Sequence, residues 1–156
     1  MRRDADDEVH QGTVVALYTV GAMFGSLSCY GLGDKLGRVR TITVGSTILI
    51  IGSVLIASSF SLGQLIAGRI VLGVGFGMLS ATVPVWQAES SPAEHRGALV
   101  VLEGLFASIG LALSQWVDLG LYFAHGSVSW RFPMALPILF AGIILVGMTF
   151  LPDSPR

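Results

Sequence analysis

The sequence predicts an all-α integral membrane protein with five spanning helices. Three observations carry that expectation. Of 156 residues, 53% are hydrophobic and only 12% are charged, where a soluble domain carries roughly a quarter charged residues. Mean hydropathy is +0.75, more apolar surface than so short a chain buries in a water-soluble core. The charges also gather in short clusters, and the runs between them approach the ~20 apolar residues a spanning helix needs. The formal net charge of −1 gives no basic excess for nucleic acid. A single cysteine, Cys29, excludes an intrachain disulfide framework and a cysteine-based zinc site.

Taken in order, residues 12–32 are free of charge and form the first span. Ahead of them lies a short acidic stretch (Asp4, Asp6, Asp7, Glu8) that lacks the apolar core of a signal peptide. The second span is placed at 41–58, ended by the polar break Ser58-Ser59-Phe60-Ser61-Leu62-Gly63. The third runs over 64–86 with one charge, Arg69, and the fourth over 97–117 with one charge, Glu103. The fifth covers 132–151 without any. Ser91-Pro92-Ala93-Glu94 has the pattern of a capping box with Pro at the first helical position, and predicts the start of the fourth helix. Gly21/Gly25 and Gly73/Gly77 have the spacing that lets membrane helices approach closely.

Lys and Arg collect in the loops on the cytoplasmic side. Lys35, Arg38 and Arg40 follow the first span, Arg96 follows the third, and Arg156 ends the chain. Residues 33–40, 87–96 and the C-terminus are therefore expected inside, with 59–63 and 118–130 outside.

Few residues suggest chemistry. Gly33-Asp34-Lys35-Leu36-Gly37-Arg38-Val39-Arg40 reads as a tight turn, its glycines permitting positive φ. Asp34 ends a helix, where the dipole disfavours a carboxylate, so it needs a partner such as Arg38 or another helix N-terminus. Arg69 and Glu103 lie inside spans, where a charge either snorkels or faces a cavity or partner. Their heights differ by roughly 10 Å at ~1.5 Å per residue, which argues against a direct bridge. His10, His95 and His125 are far apart in loops. With no metal cluster, nucleophile–base pair or convergent carboxylates in the sequence, the expectation is a protein that is not an enzyme and needs no cofactor.

Four motifs in register resemble the sugar porter family of the major facilitator superfamily, over nearly the whole chain from about Gln11. GDKLGRVR resembles the signature loop between that family's second and third helices. Ala67-Gly68-Arg69 followed by Gly73, Gly75 and Gly77 resembles its fourth helix. Pro84-Val85-Trp86-Gln87-Ala88-Glu89-Ser90-Ser91-Pro92-Ala93-Glu94-His95-Arg96-Gly97 resembles its P-x-Y-x-x-E-x-x-P-x-x-x-R-G loop. Pro152-Asp153-Ser154-Pro155-Arg156 resembles the P-E-S-P-R that follows its sixth helix. The flavour, with Trp130-Arg131-Phe132-Pro133, is similar to fungal sugar transporters. There are departures. Gly31 lies three residues before Asp34, where the pattern has Gly four before. Val39 replaces a basic residue. Trp86 stands for Tyr and Asp153 for Glu. The family's sugar-contacting Gln falls on Gly104.

The resemblance implies five helices equivalent to the second to sixth, an incomplete N-terminal half of the facilitator fold, as a multi-pass protein of the plasma membrane. It implies transport of sugars or similar small polar solutes by alternating access, with or without proton coupling. The partners are then the solute, the lipid bilayer and, as the missing parts, a first helix and a C-terminal half. The chain reads as truncated and inactive alone. The competing reading is a non-transporting five-helix subunit or regulator. The resemblance also implies that Asp34, Arg38, Glu89, Arg96, Asp153 and Arg156 form a conformational gate on the inner face. On the fourth helix, Gly104, Ser108, Leu111 and Gln115 share one stripe, which the resemblance turns toward the sugar. Gly104, Ser108 and Gln115 are the candidate substrate contacts.

Overall fold

The computed structural model describes residues 2–92, 94–122, 128–148 and 150, helical apart from short connections. Five helices follow in order: α1 (Arg2–Leu36), α2 (Arg38–Ala57), α3 (Leu62–Ser90), α4 (Arg96–Tyr122) and α5 (Val128–Met148). By length and composition α2, α3 and α4 can each cross a membrane, while α1 and α5 contribute the shorter apolar stretches Val15–Gly31 and Phe132–Met148. At 35 residues, α1 is ~50 Å long against a ~30 Å hydrocarbon core. Its acidic first turns therefore continue the helix instead of forming a separate tail.

Two seams organise the bundle. Along the first, α1 and α3 run parallel. A Cβ on Gly21 would lie 2.5 Å from the Ile70 carbonyl oxygen, and one on Gly25, Gly73 or Gly77 would collide with the carbonyls of Val74, Tyr18 or Ala22. The two GxxxG pairs thus face each other and bring the backbones into contact, where dispersion between close surfaces replaces the hydrophobic drive that lipid does not supply. Along the second seam α2 and α3 are antiparallel, with Gly75 against Leu49, Gly52 against Leu72 and Gly68 against Ile56. The core cluster of Ile42, Leu49, Leu79 and Ala141 then ties α5 to α2 and α3, with Val83, Trp86, Ile144 and Met148 around it.

The turns follow from local chemistry. Between α1 and α2 stands the single residue Gly37, with φ 87°, a conformation that costs an L side chain. This reverses the chain at the Asp34–Arg38 motif. At the other end Gln64 closes the α2–α3 turn. Its side-chain amide donates to the Leu55 and Ser58 carbonyls at 3.4 and 3.3 Å, while Ser61 caps α3 by accepting from the Gln64 backbone N–H at 3.3 Å.

Some expectations fail: His10, expected in a loop, lies within α1. Ser91 does not cap α4, which begins at Arg96. Its hydroxyl donates instead to the Gln87 carbonyl in the last turn of α3, and the His95 N–H bonds back to the Pro92 carbonyl at 3.1 Å. The serine ends one helix because its hydroxyl can satisfy an orphan carbonyl as readily as it can accept from an N–H. Both ends of α4 differ from the expected span 97–117, and the helix continues to Tyr122.

Candidate functional site

The parallel α1–α3 seam brings the Gly37 turn and the end of α3 to one end of the bundle. There Arg38 and Glu89, 51 residues apart in sequence, meet. The Arg38 Nε donates to Glu89 Oε2 at 3.3 Å and Nη2 to Oε1 at 3.2 Å. This two-pronged geometry fixes orientation as well as distance. The side chains are 28% and 40% exposed, so the pair sits at the rim and not in the core. Buried Gly33 clears the space for the guanidinium. Arg96 is exposed at the start of α4 and shares with Glu89 a depression that Pro84, Val85 and Ala88 also line. Asp34 lies on the last turn of α1, but its side chain is outside the described set. Asp153, Arg156 and His125 lie outside the described residues altogether. Of the six proposed gate residues, then, the structure joins Arg38 to Glu89 and sets Arg96 beside them.

The intramembrane charges have separate surroundings. The Arg69 Nη2 lies 3.7 Å from the Met134 sulfur on α5, and its buried Nε has no hydrogen-bond partner. Tyr18 on α1 packs its ring 5.9 Å from that of Phe76. Glu103 is half-buried, while every other residue from Val100 to Trp116 is exposed.

The proposed substrate stripe lies open. Gly104, Ser108, Leu111 and Gln115 are all exposed, and a Cβ on Gly104 would meet nothing within 4 Å. None of the apolar window of α4 is buried. Ser108 donates its hydroxyl proton to the Gly104 carbonyl at 2.9 Å, which leaves its oxygen as an acceptor only. The tether from α3 to α4 is the Gln87 side-chain amide, donating to the Leu99 carbonyl at 3.3 Å.

The sequence reading overlooked three groups: Met134 beside Arg69, Gln87 as the tether, and a buried bond chain in which Thr82 donates to Cys29 and Cys29 to the Met78 carbonyl. None carries a charge, and only Cys29, a weak donor in an apolar run, offered any signal.

Apolar helices joined through one parallel and one antiparallel glycine seam, with charges paired at one end, define a multi-pass membrane protein. Residues 2–156 match the family described as Sugar (and other) transporter, and the chain belongs to that family of the major facilitator superfamily. It is 45% identical over 92% of its length to the MFS-type transporter oryC of Aspergillus oryzae, and 44% identical over 98% to the Sugar transporter STL1 of Saccharomyces cerevisiae. It spans 27% and 28% of those two proteins. The fold matches the inward-open xylose transporter XylE from E. coli with a TM-score of 0.84 at 23% identity, covering 94% of this chain and 38% of that one.

Proposed function

We propose that these five helices form one wall of an alternating-access transporter for sugars or similar small polar solutes in the plasma membrane. The observation that carries this reading is family membership over residues 2–156. It is supported by the relatives' names, one of which is a sugar transporter. The solute crosses unchanged, so the protein's work is binding and motion, with no bond made or broken. Transporters of this kind hold solute near the membrane midplane between two repeat units that rock against each other. The helices here correspond to the second to sixth of the fold and present one such wall. Transport is therefore assigned to them together with a facing set, and not to five helices by themselves.

In this reading the open stripe of α4 looks onto the solute. Gly104 leaves room for it, and Gln115 offers an amide with two donors and an acceptor toward a polyol. The Arg38–Glu89 pair, with Arg96 beside it, holds the charged end closed in one state and separates in the other. Ion pairs at such an end bias a two-state element by a few kcal/mol at most.

The test is a segment exchange. Residues 2–156 replace the corresponding helices of the yeast STL1 transporter, and uptake of a panel of labelled sugars and polyols is measured in transporter-deficient cells, with and without a protonophore. Saturable uptake by the exchange protein, and none by the five helices alone, is the expected result. Loss of uptake upon adding the protonophore identifies proton coupling. An exchange protein that reaches the plasma membrane yet moves nothing in the panel removes the reading.

A further inference from the structure

The α1–α3 seam changes character along its length. From Tyr18 to Gly25 on α1, and from Ile70 to Gly77 on α3, the contact is backbone against backbone through glycine. One turn further it becomes polar. The buried Cys29 thiol is held between Met78 and Thr82, accepting from the Thr82 hydroxyl at 3.3 Å and donating to the Met78 carbonyl at 3.4 Å. Thr82 is only 2% exposed and Cys29 8%.

Two residues beyond Thr82 comes Pro84, inside the helix. It has no N–H to offer the Ser80 carbonyl, and its ring crowds that carbonyl, so α3 is weakest there. Past Pro84, among the described residues, the next side-chain bond from α3 to α1 or α2 is Glu89–Arg38. Val83 and Trp86 do rest on the α2–α5 core. That contact is apolar and non-directional, and the buried Trp86 Nε1 has no hydrogen-bond partner. Among the described residues, no side-chain hydrogen bond to α1 or α2 therefore fixes the segment between the Cys29–Thr82 bond and the ion pair, and the Gln87 amide ties it to α4, through the Leu99 carbonyl.

We propose that the Cys29–Thr82 contact is a fulcrum: toward the glycine seam α1 and α3 move as one body, and beyond it the Pro84–Ser90 segment swings and carries Glu89 onto or off Arg38. Cys29 and Thr82 are positioning residues in this scheme. Thr82 to Ser90 spans ~12 Å along the helix, so a bend on the order of 20°, typical of a proline kink, displaces Ser90 by about 4 Å. Apolar side chains sliding over one another permit such small shear displacements.

The proposal rests on the reading that the Arg38–Glu89 pair opens and closes, and the experiment separates the two. In the full chain in lipid nanodiscs, spin labels on Arg40→Cys and Ser90→Cys report the charged end, and labels on Thr19→Cys and Ile70→Cys report the glycine seam. All four positions are exposed, whereas Cys29 is buried. Thr82→Val keeps the shape and removes the donor. It should add a population about 4 Å longer to the first pair and leave the second unchanged. Cys29→Ser, which still accepts and donates, should resemble the wild type. Adding Pro84→Ala to Thr82→Val should restore the short distance, because the helix regains its N–H. An unchanged first pair, an equal shift in both pairs, or failure of Pro84→Ala to restore the distance each overturns the fulcrum. Glu89→Gln, with Thr82 intact, tests the latch separately. If it leaves the first pair unmoved, the latch reading falls, while the Thr82→Val result still decides the fulcrum.

Discussion

Gly33 lies directly beneath the Arg38 guanidinium: a Cβ on Gly33 would come within 2.9 Å of Nη1. The obstacle is the far end of a flexible side chain, so Gly33→Ala should leave the bundle folded. Alanine even favours the helix, by up to ~1 kcal/mol. The cost should appear in the ion pair instead. A double-mutant cycle of Arg38→Ala and Glu89→Ala on unfolding in micelles should give a coupling of about 0.5–1 kcal/mol, modest because the pair is partly solvated. In the Gly33→Ala background that coupling should fall toward zero. Raising salt should weaken the original coupling as well.

Gly77 demands more. A Cβ there would collide with the Ala22 carbonyl, which is backbone and cannot step aside. Gly77→Ala should force α1 and α3 apart and destabilise the protein by about 1–3 kcal/mol, as overpacking does. Gly110→Ala, where a Cβ meets nothing within 4 Å, is the control and should be neutral or slightly stabilising. Thermal unfolding of the purified protein distinguishes them.

Gln64 acts as a clasp on the α2–α3 turn, donating to Leu55 and Ser58 and accepting from the Phe60 N–H at 3.4 Å. Gln64→Leu keeps the bulk and removes each of those bonds. The expected loss is about 1–2 kcal/mol of stability, together with faster amide exchange confined to residues 58–64 by mass spectrometry. Uniform exchange along α2 and α3 would contradict a local clasp.

On the proposed substrate face, Gly104→Leu in the STL1 exchange protein should abolish uptake while surface expression holds, because a large side chain then fills space that is now open. Gln115→Ala should raise KM with little change in kcat, as loss of one uniform binding contact does. Normal uptake by Gly104→Leu would mean that this stripe packs against protein or lipid.

Much of the fold was legible because hydropathy and length are properties of a linear stretch. The glycine pairs were readable for a similar reason: GxxxG puts two small residues on one helix face. What failed depended on context. Ser91-Pro92-Ala93-Glu94 has the letters of an N-cap, yet Ser91 turns back to Gln87 and closes α3. The charge-free run 12–32 marked the apolar part of α1, but the helix begins at Arg2 because helical hydrogen bonding continues into polar sequence. Arg38–Glu89 joins residues 51 positions apart. No spacing rule reaches that far, and the two residues were set on one face only through loop charge and family likeness. Cys29–Thr82 and Arg69–Met134 were illegible because a thiol, a hydroxyl and a thioether are ordinary members of an apolar helix until a partner stands opposite.

The bareness of α4 shapes how the protein tolerates change. No residue of its apolar window is buried, and one amide, that of Gln87, ties it to α3. Within these five helices, substitution along α4 is therefore limited more by lipid solubility than by fit. A mutational scan scored on abundance should be nearly flat from Val100 to Trp116 for any exchange among apolar residues, with Glu103 as the exception. The same positions scored on transport need not be flat at all. On the proposed transport reading, solute preference can then diverge along α4 between related chains without disturbing the glycine seams that hold the rest together.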